Sequence, residues 1–202
     1  GDRLFAMASL PMHRSHPDLR FNSETFRQFK RAPNADGQVF AQAPASEVRS
    51  WHDYHCNLRG LVPSFKAYRF RDLLSPPNRH RLEMLEALIE QREDRDRLFL
   101  NISQNPDYAT VSSWMPRLVT SSHIWSVRRQ AVLTPLELLN VEGWPMHDQI
   151  LPDHVAQVIE AVRDIPWTGI TRIAGNGMNV VMFGHVLGVA VLTIVAGLSV
   201  ES

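Results

Sequence analysis

The sequence predicts an α/β domain, and three observations carry that reading. Leu82, Leu85, Leu88 and Ile89 recur at helical spacing opposite Arg81, Glu83, Glu86 and Glu90, which marks an amphipathic helix running from Arg79 to about Arg92. Leu98-Phe99-Leu100-Asn101-Ile102-Ser103 reads as a short strand ended by Gln104-Asn105-Pro106. Residues 134–142 carry start and stop signals of a short helix: Thr134 as cap, Pro135 at the first helical position, Glu137 completing a capping box, then Gly143 and Pro145.

Composition bounds the function. Lys plus Arg and Asp plus Glu both number 21 among 202 residues, so no global basic charge argues for nucleic acid and any DNA-binding surface has to be local. Arginine supplies most of the positive charge, since only Lys30 and Lys66 are lysines. The guanidinium is the better fork for phosphates and guanine edges. One cysteine, Cys56, excludes an internal disulfide and fits a reducing compartment. The chain starts without an initiator Met or a signal-peptide pattern and reads as a piece of something longer.

Residues 1–70 are weakly patterned. Ser23 can cap a helix carrying Phe26 and Phe29, and the turn-rich segment 31–46 reads as an exposed linker or loop. In Trp51-His52-Asp53-Tyr54-His55-Cys56, two His, an Asp and a Cys could ligate zinc, but no second ligand pair follows and a half-buried aromatic helix explains the run better. Cys56 could act as a nucleophile only with a basic neighbour such as His55.

Residues 71–150 hold the clearest elements. Asn78, after Ser75-Pro76-Pro77, is the expected cap of the amphipathic helix, and the balanced run 91–97 is expected to face solvent. Two more strand-like runs follow in residues 112–126. Arg117, Thr120, Ser121, Ser122, Arg128 and Arg129 offer donors and hydroxyls of the kind that contact phosphates, although a polar loop offers the same atoms.

In residues 151–202, Asp153 is the expected cap of a helix facing Val155, Val158, Ile159 and Val162 inward, ended by Asp164-Ile165-Pro166-Trp167. Gly175-Asn176-Gly177 then permits a sharp turn presenting bare N–H groups, a seat for a polar or anionic ligand group. The run 180–200 contains His185 as its single ionisable residue. It can be an apolar C-terminal core helix or a membrane span with Gly184-x-x-x-Gly188 spacing.

Two stretches, Ala131-Val132-Leu133-Thr134-Pro135-Leu136-Glu137 with Glu142-Gly143-Trp144-Pro145, and Arg172-Ile173-Ala174-Gly175-Asn176-Gly177-Met178, resemble the last two motifs of the DNA cytosine-5 methyltransferase family. The family pattern is Arg-x-Leu-Thr-Pro-x-Glu ending Gln-Gly-Phe-Pro, then Gln-Ile-Gly-Asn-Ala-Val-Pro. The Ala-Gly-Asn-Gly-Met wording is similar to divergent, dinoflagellate-type relatives. Pro116-Arg117-Leu118-Val119-Thr120 looks similar to the target-recognition text that precedes the first motif.

The resemblance covers roughly residues 98–190. It implies the C-terminal fragment of an S-adenosylmethionine-dependent methyltransferase-like fold, with a small mixed target-recognition region and several amphipathic helices. It also implies contact of Gly175 and Asn176 with S-adenosylmethionine, DNA contact through Arg117, Thr120, Ser121, Arg128 and Arg129, and a nuclear location. The Pro-Cys loop, the Glu-Asn-Val strand and the Phe-x-Gly-x-Gly turn of the family are missing, as is its Gln-x-Arg-x-Arg strand, so no catalytic residue is assigned. His55, not proline, precedes Cys56. Methylation would need an N-terminal methyltransferase half, in cis or in trans. Two alternatives remain: a non-catalytic DNA-binding or interaction module of that fold, and a small membrane-anchored protein using 180–200 as its span.

Overall fold

The computed structural model describes residues 36–109, 111–116, 118–119, 121–148 and 151–176. A 3-10 turn, Gly37–Phe40, leads into α1 (Ala45–Leu58), the short α2 (Phe70–Leu73) and α3 (Pro76–Ile89). Four short strands follow, β1 (Phe99–Asn101), β2 (Val111–Ser112), β3 (Ile124–Ser126) and β4 (Ala131–Val132). The described chain closes with α4 (Pro135–Val141), α5 (Asp153–Arg163) and α6 (Trp167–Asn176).

The strands form one antiparallel sheet in the order β2-β1-β3-β4, with Leu100 opposite Trp125 and Trp125 opposite Val132. The fold is therefore mixed helix and sheet, as expected, with a small antiparallel sheet.

The pleat sorts the core into two layers, because successive side chains of a strand point to opposite faces. Leu98, Leu100 and Ile102, with Trp125 and Val127, join Trp51, Phe70, Leu82, Leu85 and Ile89 from α1 to α3. Phe99 and Ile124, with Leu133, join Leu136, Leu139, Ile159, Ile170 and Ala174 from α4 to α6. Each fully buried Leu or Phe of these layers contributes about 1.5–3 kcal/mol relative to an exposed side chain.

Several elements start or end away from their expected positions, each for a physical reason. Segment 36–43 is packed against the domain, not a linker: Gly37 N donates to Ser113 O at 2.8 Å. A Cβ on Gly37 would sit 2.7 Å from Phe99 Cε2, so only glycine lets the backbone come this close. Ser75, not Asn78, caps α3, its hydroxyl accepting from Asn78 N, and both prolines fit the first turn, where a missing N–H costs nothing. Leu88 falls off the buried stripe and is exposed. Pro152 precedes α5 as its cap residue and Asp153 is the first helical residue. Within α5, Ile159 is buried and Val155 and Val162 are half-buried against the same core, as expected, whereas Val158 faces solvent.

Gly175 and Asn176 require the largest correction. They are helical in α6, which the described residues follow as far as Asn176; Gly177, the third residue of the expected turn, lies outside them. Inside an α-helix N–H groups bond back to carbonyls four residues earlier.

No described helix is long and apolar enough to cross a membrane. The helix expected around Phe26, the residues from Gly177 onward and the run 180–200 lie outside the described residues. Contacts run across the sequence positions 70 and 150, through α1 with α2 and through α4 with α6.

Candidate functional site

The site is built around α4. Thr134 is extended and its Oγ1 accepts from Glu137 N at 3.2 Å, while Glu137 Oε2 accepts from Thr134 N at 2.9 Å. This is the reciprocal capping box expected from the sequence. At the other end Gly143 has φ 89°, Trp144 N donates to Leu139 O at 3.0 Å and Gly143 N to Asn140 O at 2.9 Å. That pair of bonds is a Schellman ending, and the positive φ is why glycine stands there.

Glu137 does more than cap. Its side chain is fully buried, and Oε1 accepts from Ala43 N at 2.9 Å and from Arg129 Nη1. The carboxylate therefore ties together α4, the segment before α1 and the β3–β4 turn. A buried carboxylate is tolerated only with such a full set of donors.

A second network leaves the same cap. Thr134 Oγ1 donates to Glu47 Oε1, and His147 Nε2 lies 2.8 Å from Glu47 Oε2. Asn140 Oδ1 accepts from Met146 N, so its Nδ2 donates to His147 Nδ1 at 2.7 Å. His147 Nδ1 is thus the acceptor and Nε2 carries the proton donated to Glu47. Neither Glu47 nor His147 stood out in the sequence, because their partners lie 87 and 100 residues away.

The two motifs that resemble the methyltransferase family meet in space. α6, which carries Arg172 to Asn176, packs against α4 more extensively than any other pair of described elements pack, through Ile170 and Ala174. Gly175 is half-buried and Asn176 exposed at its end. Their N–H groups are directed along the helix, toward carbonyls one turn earlier.

The residues expected to touch DNA separate into three kinds. Arg117 and Thr120 lie outside the described residues. Ser121 lies three residues before β3 and Arg128 two residues after it, and both are exposed. Arg129 is spent on Glu137. Ser122 is buried, its hydroxyl accepting from Val119 N at 2.7 Å.

Cys56 is fully buried, and the imidazole nearest its sulfur is His52, one turn earlier, at 3.7 Å from Nδ1. His55 turns instead toward Trp51 and Phe70. Burial pushes the His55 pKa down to about 4, with the neighbouring charges of His123, Arg59 and His52 acting the same way. The His123 pKa is also lowered by burial, against a bond from its ring to Ser121 O. Among the described residues no three His, Cys, Asp or Glu side chains stand close enough to hold a metal ion.

On the opposite side of the sheet from α4, a cleft of about 530 Å³ opens between α1, the 65–71 segment and the β3–β4 hairpin. Arg49, Arg69, Arg71 and Arg129 line it, and among the described residues no Asp or Glu does. Sequence reading missed this cluster: its arginines are scattered over 81 positions, with no local motif to join them.

Comparison of the chain with protein-family models, with curated proteins and with solved structures finds no match to any of them.

Proposed function

We propose that this chain is the C-terminal part of a DNA cytosine-5 methyltransferase-like protein, contributing DNA target recognition and one edge of the cofactor pocket without being catalytically complete by itself. The observation that carries the reading is the packing of α4 on α6. The two stretches that resemble the family's last motifs, separated by a 26-residue gap between Pro145 and Arg172, form one unit in space. The capping box and the Gly143-Trp144-Pro145 ending, the most specific parts of the first motif, both have defined structural roles. Ala131 stands where the family pattern has arginine, and Arg129, two residues earlier, supplies a guanidinium to Glu137.

In this reading Ser121 and Arg128, exposed at the two ends of β3, are the described DNA-facing residues, with Arg117 and Thr120 in the same segment. Gly175 and Asn176 would border S-adenosylmethionine. Base flipping and methyl transfer require a thiolate, a base-holding carboxylate and a glycine-rich turn that this sequence does not contain.

The test is the reading frame upstream of Gly1 in the transcript. Phe-x-Gly-x-Gly, Pro-Cys and Glu-Asn-Val text in that order is the expected result. A contiguous upstream frame with none of the three, together with no duplex DNA affinity of the chain, would overturn the proposal.

A further inference from the structure

We propose that the arginine-lined cleft is a nucleotide-binding site, taking a phosphate group and a flat ring, and this does not depend on the family resemblance. Charge comes first. The chain carries equal numbers of basic and acidic side chains, yet among the described residues the cleft is lined by four arginines and no carboxylate. Arg71 is held by Glu86 at 3.0 Å and Arg129 by Glu137. The exposed Arg49 and Arg69 guanidinium groups have no ion-pair or hydrogen-bond partner among the described residues. Two free planar forks on one cleft match the oxygens of a phosphate.

Hydrogen bonding gives an independent reason. Trp125 and Arg129 both line the cleft, and the Trp125 indole N–H and Arg129 Nη2 are buried with no acceptor. Trp125 is fully buried as a residue. Native structures seldom leave buried donors unpaired, and an exception of this kind calls for a missing acceptor. Tyr68 O, a backbone acceptor on the wall, is already taken by His52 Nε2 at 2.8 Å.

Size and shape then select the ligand. A cleft of about 530 Å³ is within the range of small-molecule sites and far larger than an inorganic anion fills. Its wall includes Phe65, which is 51% exposed although its ring packs on His52 with centroids 4.8 Å apart. An aromatic ring left open beside free guanidinium groups is a stacking surface for a base, as in proteins that bind single-stranded nucleic acids. The nucleotide can be free or an unpaired unit of a strand, since both present the same phosphate and ring.

The experiment is calorimetric titration of the full chain with the common nucleoside 5′-monophosphates, with an octathymidylate single strand and with inorganic phosphate. We expect saturable binding of a monophosphate or of the strand, with phosphate alone about tenfold or more weaker. Strand binding about tenfold tighter than any monophosphate identifies nucleic acid as the source; the reverse order identifies a free nucleotide. Arg49→Glu with Arg69→Glu should weaken binding about tenfold or more, and Phe65→Ala should weaken the nucleotide but leave phosphate unchanged. Both arginines are exposed, so an unchanged melting temperature is the control, and Arg49→Glu alone serves should the double variant melt early. Absence of binding by every probe, phosphate binding as tightly as the nucleotides, or undiminished binding by the charge-reversed variant would overturn the proposal.

Discussion

Glu137, on the α4 side of the sheet, and Trp125, on the side of α1 and α3, are both fully buried, yet only Glu137 has partners for its polar atoms. Glu137 takes bonds from Thr134 N, Ala43 N and Arg129, and the neighbouring Glu47, His147 and Asn140 extend the same network. Trp125 faces a cleft of arginines and leaves its indole N–H empty. Arg129 belongs to both sides: Nη1 is bonded to Glu137 and Nη2 has no partner. One side of the sheet gathers its donors around a single buried carboxylate, and the cleft side leaves the Trp125 indole N–H and Arg129 Nη2 unpaired among the described residues. A fully satisfied polar network specifies a fold, whereas unsatisfied buried donors point to a group still to arrive.

The comparison can be broken most forcefully at that carboxylate. Glu137→Gln removes the negative charge that Arg129 neutralises and turns an amide NH₂ toward other donors. We expect a loss of about 3–5 kcal/mol in denaturant unfolding. A loss below about 1 kcal/mol would show that the carboxylate is not the hub.

On the cleft side the largest expected effect is that of pH on His55. With its folded pKa at about 4 and an ordinary value of 6.5, the unfolded chain binds a proton that the folded chain refuses. Stability is therefore fully present above pH 6.5 and falls as pH drops from 6.5 to about 4, by up to roughly 3 kcal/mol. The lowered pKa of His123 adds in the same direction. Urea unfolding of parent and His55→Phe across that window measures it, and the variant should show a flatter profile.

Gly37→Ala probes how closely the segment before α1 is drawn onto the sheet. The added Cβ would meet Phe99 Cε2 at 2.7 Å and Ser113 O at 2.9 Å, and we expect a loss of about 1–3 kcal/mol in thermal or denaturant unfolding. Thr134→Ala removes a cap and the hydroxyl bond to Glu47, for an expected loss of about 1–2 kcal/mol by the same measurement. Arg128→Glu should change stability by less than about 0.5 kcal/mol while weakening duplex DNA binding in an anisotropy titration.

What the sequence made legible was local. The box at Thr134 and Glu137 is spaced by three residues, and Gly143 ends α4 within two further turns of chain, so spacing alone located that helix. The run around Leu98 to Ile102 announced β1 by its apolar residues and its closing Asn-Pro. Segment 36–43 was misread as a linker because its reason for being ordered, Phe99 and Ser113, lies some 60 to 75 residues away. Gly175 and Asn176 are helical against glycine's own propensity because the packing of α6 on α4 overrides it. The cleft arginines had no signal at all. Arg49, Arg69 and Arg129 are ordinary surface residues in sequence and become a site only when α1, the 65–71 segment and the hairpin converge.

The difference between the two sides of the sheet is tested most directly by nuclear magnetic resonance titration of the chain with the tightest-binding nucleotide. The account predicts that the Trp125 indole N–H and the Arg69 side-chain signals shift saturably while the backbone amides of Thr134 and Glu137 stay in place. Shifts at the Glu137 network with a silent Trp125 indole, or no shift at either, would contradict it.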